Sequence, residues 1–445
     1  MDRPNPKRIA AAPVLPDDAL VDILSRVRAR TLCRCKCVSK SWRDLIASRL
    51  RCTTLPQTLE GFFYFFDGDA AAAAETDSNF DDDADGPVSY GHLIDTQGKP
   101  APLASFSFLG NIPGVQEFAL QSSCNGLLLF THRRIGDAYN SLGYLVCNPA
   151  TGHWAAVPSS GWKIDWVYLW NAENKDSEDS DSGVETEPNI SFTYMIFDPA
   201  VSPHFQLVEF WSDDAVTVDE VHTYSSETGV WCKRTSQWSD DEVVTFSVGG
   251  GFASGMLHLS ATSYAGRGRD HEVIVSVDGE GKNCRVIRGP EKSADVVFVG
   301  QSQGRLHYVT RRWDKASDTT ELSVWVLEDY GAEEWVLKHS VTFLHLFGRT
   351  GRPSEFEYSV VAIHPDRNLM FFFQHWDLKL KSYDMDSQEV CTLRTLGAGH
   401  QHIVPYVPYF AGSPGLAKKR YYCENSSGTM QIGCCRYGAQ EQLAT

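Results

Sequence analysis

Several signals that mark membrane-spanning and exported proteins are missing from this sequence of 445 residues. It contains no apolar run long enough to span a bilayer, which needs about 18 residues or more, so no transmembrane helix is predicted. The first residues lack the apolar segment of a signal peptide, so we expect a cytoplasmic or nuclear location, or both. In such a reducing environment the 12 cysteines are expected to be free thiols rather than disulfides.

The motifs of common catalytic sites are also missing. No glycine-rich phosphate loop opens a helix, and neither a Gly-x-Ser-x-Gly turn nor a His-Glu-x-x-His pair occurs. His400 and His402 would share one face of a strand, but no further metal ligand lies near them in sequence. Cys33, Cys35 and Cys37 stand at alternate positions, which suits small packing residues better than a zinc site built from Cys-x-x-Cys pairs. We therefore predict no catalytic residue, no metal and no cofactor.

What the sequence does contain, near its N-terminal end, is a short stretch with helical periodicity. Two apolar series there have the spacing of a helix face: Leu20, Ile23, Leu24 and Val27, then Val38, Trp42, Leu45 and Ile46. Pro16 and Asp17 suit the start of the first helix, and Ser39 suits the N-cap of the last. About 35 residues rarely build a sufficient core alone. The segment therefore either caps its own domain or docks onto another protein.

This stretch resembles an F-box. Leu15-Pro16-Asp17-Asp18 followed by Leu20 and Ile23-Leu24-Ser25-Arg26, and then Cys37-Val38-Ser39-Lys40-Ser41-Trp42, carry the resemblance at both ends of the motif. One departure is Arg28, which stands where the family usually has a proline at the start of its second helix. The resemblance implies binding to the Skp adaptor of a cullin–RING ubiquitin ligase. It also implies that eight residues contact the adaptor or support the contact surface: Leu15, Pro16, Leu20, Ile23, Leu24, Leu32, Val38 and Trp42. Leu45 and Ile46 are expected to pack inward.

The rest of the chain is predicted to form β-strands. Short apolar runs rich in Val, Tyr, Phe and Trp are separated by Gly, Asn, Asp and Pro clusters. Tight turns before a leucine-bearing strand recur at Asn125-Gly126, Ser254-Gly255, Gln303-Gly304 and 365–368. These turns alternate with a second pattern, which consists of a strand, a polar turn and another strand. That last strand often begins with Trp, as at Trp154, Trp231 and Trp335. We assign these glycines and tryptophans to architecture.

The two patterns together make a four-stranded unit repeated roughly every 40 to 60 residues, which is typical of propeller blades. About five units lie between residues 120 and 400, and strands near 58–66, 88–108 and 401–432 would complete a sixth or seventh. We expect strands from both ends of the domain to close the last blade, because an open ring leaves exposed edges. The repeats resemble the kelch-like F-box-associated domain of plant proteins. The predicted fold is a small α-helical F-box followed by a large all-β domain, a six- or seven-bladed β-propeller.

Charge and composition divide the chain further. Residues 1–51 hold 12 Lys/Arg and 5 Asp/Glu, so the N-terminal part is basic, although the whole chain has a net charge of −17. Opposed potentials orient encounters, so the basic part suits an acidic protein partner better than nucleic acid. The predicted segments are a disordered N-terminus at 1–12, the F-box at 13–52, the propeller at 53–435, disordered acidic loops at 67–86 and 171–188, and a flexible C-terminus at 436–445.

The resemblance implies a non-catalytic substrate-receptor subunit of a Skp–cullin–F-box ubiquitin ligase. Its partners would be the Skp adaptor, through it a cullin–RING ligase, and an unidentified target protein, with no nucleic acid and no membrane. The alternative is a propeller that acts outside such a ligase as an enzyme or a carbohydrate-binding module. Aromatic residues are favoured binding anchors, and the densest group is Trp162, Trp166, Tyr168 and Trp170. A strand of an incomplete blade explains that group equally well.

Overall fold

The computed structural model of the protein describes residues 15–25, 27, 29–49, 58–66, 92–100, 115–134, 143–160, 190–212, 220–235, 243–264, 271–282, 284–290, 294–354, 357–397, 400–410, 413–416, 421–424 and 430–433. The chain forms two compact units, residues Met1–Gln57 and Thr58–Thr445. Arg28, both acidic loops, the aromatic residues 162–170 and both predicted disordered ends lie outside the described residues.

The first unit contains three short helices, α1 (Asp17–Ser25), α2 (Ala29–Cys35) and α3 (Lys40–Arg49). The predicted helix starts are confirmed by their hydrogen bonds. The amide of Leu20 donates to the carbonyl of Pro16 at 3.1 Å, and the amide of Trp42 donates to the Ser39 hydroxyl at 3.1 Å, which makes Ser39 the N-cap of α3. Among its described side chains, the core of this helical module consists of buried Leu24, Leu32 and Ile46, with Val21, Cys35 and Trp42 packed against them.

The second unit is built from strands. Their bounds are β1 (Gly61–Phe66), β2 (His92–Asp95), β3 (Val115–Cys124), β4 (Leu127–Arg134), β5 (Gly143–Asn148), β6 (His153–Val157), β7 (Ile190–Ile196), β8 (Gln206–Ser212), β9 (Glu220–Ser225), β10 (Val230–Thr235), β11 (Val243–Ala253), β12 (Met256–Tyr264), β13 (His271–Asp278), β14 (Cys284–Arg288), β15 (Asp295–Ser302), β16 (Arg305–Asp314), β17 (Thr319–Asp329), β18 (Glu334–Thr342), β19 (Tyr358–Ile363), β20 (Leu369–Gln374), β21 (Lys379–Asp384), β22 (Glu389–Thr395), β23 (His400–Tyr406), β24 (Tyr421–Glu424) and β25 (Met430–Gly433). One short helix, α4 (Phe343–Phe347), lies between β18 and β19.

The strands form a six-bladed β-propeller in the part of the chain that is described. Five sheets are antiparallel meanders of four consecutive strands, β3–β6, β7–β10, β11–β14, β15–β18 and β19–β22. The sixth has the order β2-β1-β23, and β24 pairs with β25 in a separate hairpin. Neighbouring sheets contact around the ring: β3 meets β7 and β23, β7 meets β12, β15 meets β11 and β19, and β19 meets β23. The predicted fold class is therefore confirmed, with six blades.

The sixth sheet closes the ring with strands that lie far apart in sequence, as predicted. On β1, Phe62 pairs with Pro405 and Phe63 pairs with Val404 of β23. Neighbouring residues on a strand point to opposite faces. Phe63 accordingly packs in the core shared with the β3–β6 sheet, and Phe62 packs in the core shared with the β19–β22 sheet. Both rings are fully buried, so the closing sheet is held from both sides.

In each of four blades, a turn joins the first strand to the second. Three of these four turns have the tight hairpin conformation that the sequence predicts. Both central residues have positive φ at Asn125-Gly126, Ser254-Gly255 and Gln303-Gly304. That backbone matches the right-handed twist of the paired strands, and Asn or Gly adopts it at low cost. The fourth predicted turn, at 365–368, is different. It is a longer connection in which the amide of His364 donates to the carbonyl of Leu369 at 2.8 Å.

Candidate functional site

The helical module carries exposed apolar side chains that its small core does not cover. Leu15 is 51% exposed, Ile23 is 50% exposed and Val38 is 64% exposed. Leu15 precedes α1, Ile23 lies on α1, and Val38 lies just before α3. When a partner covers exposed aliphatic side chains, the free energy of the complex falls by about 25 cal/mol for each Å² of apolar surface that is buried. These three side chains are available for contact with a partner.

The other residues implied by the resemblance have supporting positions. Leu24 and Leu32 are buried in the core of the module, so they hold the helices together. Leu20 and Trp42 are partly exposed, and Trp42 also packs against that core. Pro16 is exposed, and its carbonyl accepts the first helical hydrogen bond of α1. Ile46 lies in the core, as predicted, whereas Leu45 is half-buried and lies outside that core.

The charges of the module are exposed. Asp18 at the start of α1 forms an ion pair with Arg49 at the end of α3. Both side chains are solvated, so this pair contributes little to stability, between about 0 and 1 kcal/mol. Arg34, Lys40 and Arg43 are also exposed. Asp17, Asp22 and Asp44 are exposed as well, so the described part of the module carries charges of both signs beside its apolar side chains.

The propeller has two adjoining polar cavities, of about 320 and 380 Å³, that share Gln303 in their linings. The smaller is lined by Asp366, Arg367, Asn368, Leu369, Asp384 and Asp386, and the larger by Arg305, His307, Val326, Glu328, Val336 and Lys338. In the larger, the Lys338 ammonium lies 3.4 Å from Nε2 of the buried His307 ring. Burial lowers the pKa of His307 to about 4, so its imidazole is neutral at physiological pH and accepts from Lys338.

Other buried titratable groups hold neighbouring strands together. The Glu209 carboxylate on β8 accepts from the Tyr144 hydroxyl on β5 at 2.7 Å, and that hydroxyl lies 2.8 Å from Thr193 Oγ1 on β7. Burial raises the pKa of Glu209. His258 Nε2 lies 3.1 Å from the Tyr330 hydroxyl. These groups join adjacent sheets, and a structural role accounts for them.

Among the described residues, no group of three or more His, Cys, Asp and Glu side chains could hold a metal ion. Six cysteines with free thiols are described, at positions 35, 37, 124, 147, 232 and 391. Across the same residues, no helix is long and apolar enough to cross a membrane. The side chains of Cys33, His400 and His402 are outside the description.

Sequence comparison relates both units to known families. The family model "F-box domain" matches residues 13–53, and the model "F-box protein At3g26010-like, beta-propeller" matches residues 91–404. Among curated relatives, the putative F-box protein At1g30920 of Arabidopsis thaliana is 25% identical over 348 residues, covering 72% of each chain. The putative F-box/kelch-repeat protein At4g22430 of the same plant is 22% identical over 380 residues, covering 83% of this chain and 78% of that protein.

Among solved structures, prolyl oligopeptidase B from Galerina marginata matches with a TM-score of 0.34 and 9% identity. The match covers 76% of this chain and 42% of that one. A similarity of this extent carries no argument about activity.

Proposed function

Because this chain belongs to the F-box proteins with an At3g26010-like β-propeller, we propose that it is the substrate-receptor subunit of a Skp–cullin–F-box ubiquitin ligase. F-box proteins are in general non-catalytic adaptor subunits. In the proposed assembly the helical module docks the Skp adaptor, and the propeller holds a target protein. The chain itself contributes proximity, because it brings a target lysine close to an activated ubiquitin. It would act in the cytoplasm, the nucleus or both.

The observation that carries this proposal is the exposure of Leu15, Ile23 and Val38 on a module whose described core consists of Leu24, Leu32 and Ile46. Full burial of an aliphatic side chain contributes about 1.5–3 kcal/mol. Leu15, Ile23 and Val38 are between 50% and 64% exposed, so covering all three contributes roughly 2.5–5 kcal/mol, which offsets part of the cost of association. Trp162, Trp166, Tyr168 and Trp170 stay a sequence-based prediction for target contacts.

Val38→Asp is expected to weaken adaptor binding by about thirtyfold or more, because covering an unpaired carboxylate costs at least about 2 kcal/mol. The measurement is a calorimetric titration of the purified full chain with a purified Skp adaptor. Val38 is exposed, so the helical circular dichroism and the unfolding temperature should not change.

Val201→Asp is the matched control, because Val201 is an 80% exposed valine in the propeller and receives the same change of charge. It should bind the adaptor like the wild type. Equal affinity of Val38→Asp and Val201→Asp would contradict docking through the apolar face of the module.

A further inference from the structure

The described first part of the connection from α4 to β19, residues 348–354, lies between two neighbouring blades. Its Gly351 amide donates to the carbonyl of Asp318 at 3.1 Å, and the Thr320 hydroxyl donates to the carbonyl of Gly351 at 2.6 Å. Asp318 and Thr320 belong to the β16–β17 turn and the start of β17. The connection of one blade is thereby fixed on the turn of the preceding blade.

Two arginines of this connection stack on tryptophans of the two blades. The Arg349 guanidinium carbon lies 4.8 Å from the ring centre of Trp376, in the β20–β21 turn. The Arg352 guanidinium carbon lies 5.7 Å from the ring centre of Trp313, at the end of β16. Three residues span at most about 10–11 Å of chain, so the two pairs occupy neighbouring positions along one connection.

The surface has a rigid apolar base. Trp376 is 38% exposed, and its ring centre lies 6.5 Å from that of Phe343 and 5.7 Å from that of Phe347. Both phenylalanines are buried in the core between the two blades. Leu344 of α4 is 52% exposed, and the Lys381 ammonium lies 5.6 Å from the ring centre of Phe347. We refer to Trp313, Leu344, Arg349, Arg352, Trp376 and Lys381 together as the α4 surface.

The cations of the α4 surface stand out in an acidic domain. Residues 1–51 carry a net charge of +7 and the whole chain −17, which leaves −24 for the remainder. Other exposed arginines of the same blades form ion pairs, such as Arg305 with Glu328 and Arg312 with Glu321. Over the described part of the chain, no ion pair involves Arg349, Arg352 or Lys381. Lys381 is only half-exposed, and the Asp377 carboxylate nearby acts against the lowering of its pKa by burial, so the exposed Arg349 and Arg352 are the charges most available to a partner.

We propose that the α4 surface binds an acidic segment of the target protein, with carboxylates on Arg349 and Arg352 and an apolar residue against Trp376 and Leu344. Tryptophan and arginine are the residue types that most often dominate binding energy at protein interfaces. A guanidinium stacked on a ring is pre-organised and keeps its N–H donors at the edge, where a carboxylate can accept two of them. The negative charge of the propeller repels a nucleic acid more strongly than an acidic protein segment, because a nucleic acid carries more charge per unit length. This inference rests on the proposed receptor function.

The probe for the test is a fluorescein-labelled 12-residue peptide in which glutamate alternates with leucine. Its counterparts are the same peptide with lysine for glutamate and a single-stranded DNA of equal length. Binding to the full chain is followed by fluorescence anisotropy at low and at physiological salt. We expect the acidic peptide to bind the wild type in preference to both counterparts, with an affinity that falls as salt rises.

Arg349→Ala/Arg352→Ala should weaken binding of the acidic peptide at least tenfold. The matched control is Arg305→Ala/Arg367→Ala, which removes the same two charges at the turns joining the first and second strands of the same blades. It should bind the peptide like the wild type, because neither arginine belongs to the α4 surface. Since the two double variants have the same net charge, a difference between them cannot come from a general loss of charge. All four arginines are exposed, so each variant is expected to unfold at the wild-type temperature.

Three outcomes would overturn the inference: no measurable binding of the acidic peptide to the wild type, equal losses in the two double variants, or preference for DNA over the peptide. Titration of the same preparations with the Skp adaptor separates this inference from the proposed function. A chain that binds the adaptor but not the peptide overturns only the α4 surface.

Discussion

Leu24→Asp should unfold the helical module, abolish adaptor binding and leave the unfolding transition of the propeller at its wild-type temperature. Leu24 is 2% exposed and belongs to the core that it forms with Leu32 and Ile46 in the described part of the module. Burying an unpaired carboxylate costs several kcal/mol, which exceeds what so small a core can supply. The propeller has its own cores between sheets and should not respond. Hydrogen exchange of the amides in α1 and α3, with a thermal scan of the full chain, measures both effects.

The neighbouring position supplies the control for this prediction. Ile23→Asp introduces the same group one residue earlier on α1, but Ile23 is 50% exposed. Its helical amides should stay protected, and its adaptor affinity should fall because the proposed contact is lost. Equal protection of α1 in Leu24→Asp and Ile23→Asp would show that this core does not hold the module together.

Phe63→Ala should lower the free energy of unfolding of the propeller by about 3–5 kcal/mol, the range for a buried phenylalanine. The ring is fully buried where β1, paired with β23, packs on the β3–β6 sheet. The truncation leaves a cavity in the closing blade, where strands from the two ends of the domain meet. Equilibrium urea unfolding followed by tryptophan fluorescence measures the change.

Leu344→Ala is the comparison, because Leu344 is 52% exposed and the truncation opens no buried cavity. It should cost less than about 1 kcal/mol. A cost of about 1 kcal/mol or less for Phe63→Ala would mean that closure through β1 contributes little to the stability of the ring.

Local signals predicted much of the fold. Asn125-Gly126 and Ser254-Gly255 predicted tight turns because few residues adopt positive φ at low cost, and both turns have it. Ser39 predicted the start of α3 because its hydroxyl satisfies a free amide of the first turn. Closure by β1 and β23 followed from the need to leave no open sheet edge.

Some features depend on contacts between distant residues and had no such signal. The α4 helix was not predicted, because Phe343, Leu346 and Phe347 also fit an apolar strand. Its cap residues are visible in the sequence: the Thr342 hydroxyl accepts from the His345 amide, and Gly348 ends the helix with φ of 72°.

The α4 surface was missed for the same reason. Trp376 and Arg349 lie in different connections, and only the packing of the blades brings them together. The number of blades also required the pairing of β1 with β23, which fixes where the ring closes.

The most direct test of the proposed function is the mass of the complex that the full chain forms with a purified Skp adaptor. Size-exclusion chromatography with light scattering should show one species at the summed mass of one chain and one adaptor. The same species should disappear for Leu24→Asp and persist for Val201→Asp. Separate elution of the wild-type chain and the adaptor at concentrations of tens of micromolar would contradict the receptor function.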